Sequence, residues 1–207
     1  MTLFDLFFLI SVLFALAMAV RIAISAIRRQ WPTAARRTRM LALFLALYAG
    51  VLICVALVLP RRFYAPGERR CFDDWCAAAV SIAPVENPTE SPCGPGNGGR
   101  DWVATIEVAS EARRVRQRAA GASAQLEDER GARYWPCAAA ASGRSLTDVL
   151  DPGESFRVSL PFRLPSAATP AGMVVHHGDF PGVVIIGADQ SLFHALALQR
   201  LSVEQGK

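Results

Sequence analysis

Histidine is scarce in this chain: His176, His177 and His194 are three residues in 207. No Gly-x-Ser-x-Gly turn is present, which removes the exposed serine nucleophile of an α/β-hydrolase. A blue-copper centre fails on order, because that site draws its thiolate, a histidine and a methionine from one short loop. Here the last cysteine, Cys137, precedes His176 by 39 residues, and Met173 also comes before it. Asp73 and Asp74 are adjacent, too close in sequence to act as opposed acid and base across a substrate. Residues 60–207 have no long amphipathic helical pattern between their strand-like runs, which argues against a parallel α/β sheet. Concentrated positive charge is missing there too. Residues 1–59 hold six arginines against Asp5, a charge of +5 that leaves residues 60–207 at −1 of the chain's net +4. A near-neutral region lacks the basic footprint that phosphate backbones require, so nucleic acid is not an expected partner.

What is present first is a pair of apolar runs. Residues 3–27 and 40–59 flank a basic loop, residues 28–39, that carries five arginines. The second run has no charge over twenty residues, which at about 1.5 Å of rise per residue matches the roughly 30 Å core of a bilayer. We read residues 1–59 as a transmembrane helical hairpin, with the lipid bilayer as a partner through two spans. Arginine resists translocation, so the loop faces the cytoplasm and both termini lie outside. This anchors the chain in a membrane, with a linker at residues 60–70 and an extracytoplasmic domain at residues 71–207. Arg61, Arg62, Arg69 and Arg70 oppose that orientation, and Arg21 adds to the loop's side.

The first run starts with Asp5 rather than a basic region, so it reads as an uncleaved anchor, although Ala17-Met18-Ala19 resembles a cleavage pattern. Arg21 reaches the headgroups on its long stem. Neither run is interrupted by proline, and Gly50 is their only glycine, so no broken-helix transport site is expected. Ala42, Ala46, Ala49 and Gly50 offer a small surface on which the two helices would approach each other.

Cysteine usage agrees with an outer location. Cys54 lies in the second span, whereas Cys71, Cys76, Cys93 and Cys137 form an even set beyond it, as an oxidising compartment favours. Cys71 and Cys76 are five apart, so on one straight strand they would face opposite ways; a tight turn at Asp73-Asp74 would bring them together as a local staple. Pairing Cys93 with Cys137 would close a long loop, worth roughly 2 to 4 kcal/mol. Spacing alone leaves the other connectivities open.

The outer region reads as strands. Trp102, Ala104, Ile106 and Val108 alternate with Val103, Thr105 and Glu107. Phe156, Val158, Leu160, Phe162 and Leu164 do so with Arg157, Ser159 and Arg163, after the turn residues Asp151-Pro152-Gly153. Pro161 marks an edge or a break in that strand. Further strands are expected at residues 72–83, 113–119, 122–127, 173–177, 183–186 and 196–203, with a hairpin turn at Asp128-Glu129-Arg130-Gly131. Residues 84–100 read as a long surface loop, and the alanine run in residues 138–150 as a competing short helix. The fold class is therefore two N-terminal transmembrane helices plus an all-β antiparallel sandwich.

Three motifs carry a resemblance. They are Cys71-Phe72-Asp73-Asp74-Trp75-Cys76, Asp151-Pro152-Gly153-Glu154-Ser155, and His177-Gly178-Asp179-Phe180-Pro181-Gly182 running on to Asp189-Gln190-Ser191-Leu192-Phe193-His194. With these the chain resembles uncharacterised bacterial membrane-anchored proteins that bear an exported immunoglobulin-like domain of unknown function, over most of residues 71–201. The resemblance implies an immunoglobulin-like sandwich outside a bacterial inner membrane and no established activity, so no catalytic residue is carried over from it. Cys93 and Cys137 depart from the group's pattern, which favours their mutual pairing.

Candidate sites are few. His177, Asp179 and His194 are the donors a metal or redox centre would use, but adjacent strand residues face opposite ways, and turn residues bonding backbone groups are the preferred reading. No metal or cofactor is expected. Trp75 is either an exposed recognition aromatic or packing over a disulfide. Arg114, Arg116 and Arg118 would share one strand face unless Glu127, Asp128 and Glu129 neutralise them, and with Trp75 they are the candidates for an interaction surface. The expected function is a non-catalytic binding module with an envelope protein as possible partner. The alternatives are a metal-binding or redox protein, and a structural subunit of a membrane complex.

Overall fold

The computed structural model describes residues 3–86, 91–94, 98–137, 143–178, 182–188 and 191–203. Two compact units emerge, one of residues 1–60 with 179–195 and the other of residues 61–178 with 196–207. The apolar segment after residue 178 therefore groups with the helices, whereas the sequence reading kept residues 71–207 together.

In the first unit α1 (Leu3–Ile27) and α2 (Trp31–Val58) form a hairpin, and both are long and apolar enough to cross a membrane. Helix α2 begins at Trp31 rather than at residue 40, so the basic loop shrinks to three residues. The cause is local: Pro32 in the first turn has its φ already helical, and alanine and arginine are strong helix formers. Arg29, at φ 57°, makes the reversal.

The helices meet along a seam spaced alternately by three and four residues. Phe8, Ser11, Ala15, Met18, Ile22 and Ser25 supply it from α1. Ala34, Arg37, Leu41, Phe44 and Tyr48 face them from α2. That period, 3.5 residues, belongs to left-handed supercoiled pairs. Phe14 packs on Phe44 at 4.8 Å between ring centroids, and Arg37 bonds both the Arg21 carbonyl and the Ser25 hydroxyl. Ala42, Ala46, Ala49 and Gly50 are exposed. The small surface expected at the helix contact points away from it, because the bulkier Leu41, Phe44 and Tyr48 already occupy the seam.

The second unit contains two five-stranded sheets that share one hydrophobic core. The first joins β1 (Phe63–Tyr64), β11 (Leu198–Arg200), β10 (Pro170–His177), β6 (Ala122–Asp128) and β7 (Arg133–Tyr134), in that order. The second runs β12 (Ser202–Val203), β3 (Trp75–Pro84), β4 (Arg100–Ser110), β9 (Ser155–Leu164), with β2 (Arg70–Phe72) also on β3. A small pair joins β5 (Gln117–Arg118) to β8 (Val149–Leu150). Most pairings are antiparallel and neither large sheet closes on itself. The exceptions, β1 with β11 and β12 with β3, are short and parallel. Parallel neighbours need a long connection, and here nearly the whole domain intervenes.

Strands β4 and β9 follow the alternation read from the sequence. Ile106, Val108, Val158 and Phe162 are fully buried. Pro161 lies on the edge strand β9, and its carbonyl accepts the Cys137 N–H, so the ring nitrogen that cannot donate is on the open side.

Other segments differ from expectation. Residues 183–186 fall in a short 3-10 turn (Gly182–Val184) and the bend after it rather than in a strand, and the run at residues 196–203 breaks at Leu201 into β11 and β12. Of the helix expected in residues 138–150, the described part is a turn followed by β8; residues 138–142 lie outside the described residues.

The break at Leu201 carries the chain from one sheet to the other and leaves a gap. On the outer edge of β3, β2 pairs as far as Ala77 and β12 pairs from Ser81, so the edge between them has no strand partner. Gln199 of the opposite sheet fills it. Its Oε1 accepts from Ala79 N at 2.7 Å and its Nε2 donates to Ala77 O at 3.0 Å, while Gly67 N–H serves the Ala79 carbonyl at 2.8 Å. A fully buried glutamine thus stands in for a strand.

Candidate functional site

The β2–β3 hairpin turns at Asp73, which takes φ 55°, and sets Cys71 opposite Cys76 in a disulfide. Asparagine and aspartate tolerate this left-handed backbone better than most residues. Beside it Trp75 is only 2% exposed, packed with Phe72 at 5.7 Å and His177 at 5.2 Å between ring centroids. Arg70 lies over the Phe72 ring and donates to the Val175 carbonyl. Trp75 is therefore a core residue at the end of the hairpin and offers no surface to a partner.

His177 belongs to this aromatic stack. His194 lies in the other unit, where its Nδ1 is 3.2 Å from the Ala56 carbonyl oxygen in the last turns of α2. The final carbonyls of a helix lack intrahelical donors, so this contact caps one of them, with Nδ1 assigned as the protonated nitrogen. Asp179 lies outside the described residues. The metal-binding reading is not favoured, because the candidate ligands His177 and His194 are placed by packing and backbone contacts.

The arginines at 114, 116 and 118 do not form one strand face. Residues 113–115 are an exposed bend, and only Arg118 is in β5, donating to the Thr147 carbonyl at 3.3 Å. Arg116 pairs with Asp151 at 2.6 Å, both exposed. Such a pair contributes little to stability in water. Arg113 and Val115 leave the strand direction because Ala112 is drawn inward and its N–H bonds the Ser110 hydroxyl.

Nor do Glu127 and Asp128 neutralise that turn. Glu127, nearly buried, accepts from Arg61 Nη2 at 2.8 Å and from Arg133 Nε at 3.0 Å. Burial would raise its pKa, but the hydrogen bonds and charges of the two guanidinium groups outweigh that and hold it below the ordinary glutamate value. Asp128 organises the β6–β7 turn. Its Oδ1 accepts from Arg130 N and Ala132 N, and its Oδ2 from the Tyr134 hydroxyl. Arg163 holds the pKa of Asp101 down, chiefly by its hydrogen bond, and also binds Ser91 Oγ and Gly94 O. Cys93 is bonded to Cys137, so this part of the long loop is held by a disulfide and by the hydrogen bonds of Ser91 and Gly94 to Asp101 of β4 and Arg163 of β9. These shifted carboxylates serve structure: each faces arginine or backbone donors.

A recess not expected from the sequence lies on the β domain. Ala122, Ser123 and Ala124 of β6 line it with Pro136, Ser145, Leu146 and Leu160, and its volume is about 160 Å³. Trp135, 63% exposed, forms part of its wall. Small residues along β6 make the hollow, and a large aromatic stands at its side. The only sequence signal was the pair Trp135-Pro136 beside Cys137, which alternation analysis passes over because it belongs to no strand.

No family model matches the sequence, and no curated protein matches it. Two solved structures are similar in fold. A secreted protein from Mycobacterium tuberculosis is 16% identical with a TM-score of 0.45, covering 57% of this chain and 92% of its own. A conserved hypothetical protein from Bacillus anthracis is 21% identical with a TM-score of 0.40, covering 54% of this chain and 89% of its own. At this level the likeness concerns a β-rich fold and carries nothing about activity.

Proposed function

We propose that the chain is a membrane-anchored, non-catalytic binding module whose β domain, an immunoglobulin-like sandwich, works outside the cytoplasm of a bacterial cell and receives a side chain of an envelope protein beside Trp135. The observation that carries this reading is the recess. Its 160 Å³ is well below the roughly 300 to 1,000 Å³ of a small-molecule site, so it suits one apolar side chain rather than a metabolite. An exposed tryptophan at its edge is the residue type that dominates recognition energy at protein interfaces. Two apolar helices of spanning length support the anchor, and two disulfides support an oxidising compartment.

A photo-crosslinking amino acid in place of Trp135, in the full chain in its native membranes, tests the binding reading. A discrete protein adduct is expected there and not with the same amino acid at the exposed Arg157. Equal labelling at both positions, or none at Trp135, refutes it.

A further inference from the structure

The apolar segment that groups with the helices has a depth. Helix α2 ends at Val58, and Tyr48 lies ten residues before that, about 15 Å along the axis. The Tyr48 hydroxyl donates to the Val184 carbonyl at 2.6 Å. A helical tyrosine leans toward the helix N-terminus, here the arginine-bearing end, so its hydroxyl is no nearer to Val58 than its Cα. One stage nearer the end, Gly187 lies against the Phe4 ring, where an added Cβ would be 3.4 Å from Cε2. Nearer still, His194 caps Ala56. The three contacts run in order along α2 and the start of α1, so residues 182–188 and 191–194 extend alongside the helices rather than resting on their tips.

Apart from Asp189, which lies outside the described residues, the segment's chemistry matches that depth. Gly182-Val183-Val184-Ile185-Ile186-Gly187 carries no charge. Leu192 and Phe193 are 48% and 64% exposed, and α2 likewise bares Leu47 and Leu57. Non-helical backbone at membrane depth is tolerated only where it is packed against protein with its polar groups bonded, and residues 182–188 are buried or half-buried. Ile185 N–H bonds to Gly182 O, Ala188 N–H to Ile185 O, Ser191 N–H to Ala188 O, Leu192 N–H to Val183 O and His194 N–H to Ser191 O. The Val184 carbonyl has Tyr48. These bonds satisfy part of the segment's backbone from within, while the buried Ser191 hydroxyl has no partner among the described residues.

We propose that residues 182–188 and 191–194 form a third membrane element, a non-helical segment inserted beside the hairpin with Leu192 and Phe193 against the acyl chains of the outer leaflet. The inference rests on the reading of α1 and α2 as membrane spans. It makes the membrane-contacting surface discontinuous in sequence: a piece between β10 and β11 returns to the bilayer more than a hundred residues after the anchor.

Depth-dependent quenching tests it. In the full chain bearing Cys54→Ser, a single cysteine at Phe193 (F193C), and separately at Leu192 (L192C), carries an environment-sensitive fluorophore in phosphatidylcholine and phosphatidylglycerol vesicles. Nitroxide lipids labelled on the acyl chain or on the headgroup are the quenchers, and L47C on α2 is the control. Both loop labels are expected to lose as large a fraction of emission to acyl-chain nitroxide as L47C does, and to resist aqueous iodide. Loop labels quenched by iodide and spared by acyl-chain nitroxide, with L47C quenched by lipid, overturn the inference while the anchor stands. If L47C itself is spared by lipid, the anchor reading falls and the inference falls with it.

Discussion

Replacing Gln199 by leucine removes two hydrogen bonds that no strand can supply. The side chain is fully buried and bridges from β11 to the unpaired edge of β3, so Gln199→Leu strands the Ala79 N–H and the Ala77 carbonyl in the core. Each buried backbone group left without a partner costs about 1 to 3 kcal/mol, and some of that is recovered by the more apolar side chain, so the net loss is about 2 to 4 kcal/mol. For a domain of this size each kcal/mol lowers the melting point by roughly 4 °C, giving a fall of about 8 to 16 °C. The assay is a thermal melt of the full chain in detergent micelles, followed by near-ultraviolet circular dichroism without reductant.

Gln199→Glu sharpens the test. A carboxylate accepts from Ala79 but repels the Ala77 carbonyl, whereas the protonated acid donates to it. Folding should therefore raise the pKa of this glutamate, with its stability present at low pH and lost as pH rises through the folded value. Relative to the parent at the same pH, Gln199→Glu should recover as pH falls. A Gln199→Leu protein melting within about 2 °C of the parent, a shift worth less than about 1 kcal/mol, would refute the bridge.

Glu127 and Asp101 have folded pKa values below their ordinary ones, so the stability they add is present above the unfolded values of about 4 and is lost as pH falls through the lower folded values. An acid titration of the parent should show this loss below about pH 4, and Glu127→Gln should flatten part of it while lowering stability at neutral pH by about 2 kcal/mol, since Arg61 and Arg133 are only partly buried. Urea unfolding followed by tryptophan emission reads both effects. Gly172→Ala would place a Cβ 2.6 Å from the Gln199 carbonyl oxygen and 2.8 Å from Leu198 Cγ. The β10–β11 pair must then separate, and the same urea titration should show a loss of about 1 to 3 kcal/mol with the slope unchanged.

Much of the local structure was legible in the residues. The alternation in β4 and β9 marked their buried faces because a strand's side chains have period two, and the absence of charge in residues 40–59 marked a helix able to lie in lipid. The turn between Cys71 and Cys76 followed from the need to bring two sulfurs five residues apart to one side. Trp135 was not legible, because a recess is made by elements far apart in the chain. Arg114, Arg116 and Arg118 were read as a stripe by assuming a strand that the structure confines to residues 117–118.

Local pattern was enough to mark the two apolar helices and the half-buried strands β4 and β9, because hydrophobic period and helix propensity act within a few residues. The tertiary structure decided what those segments are near. It brought Gln199 to an edge on β3, Arg61 to Glu127, and a loop after β10 to Tyr48, pairings across sixty-six to 136 residues that no local pattern encodes. Each depends on the requirement that every polar group withdrawn from water find a partner, and only the folded chain shows which partner is within reach.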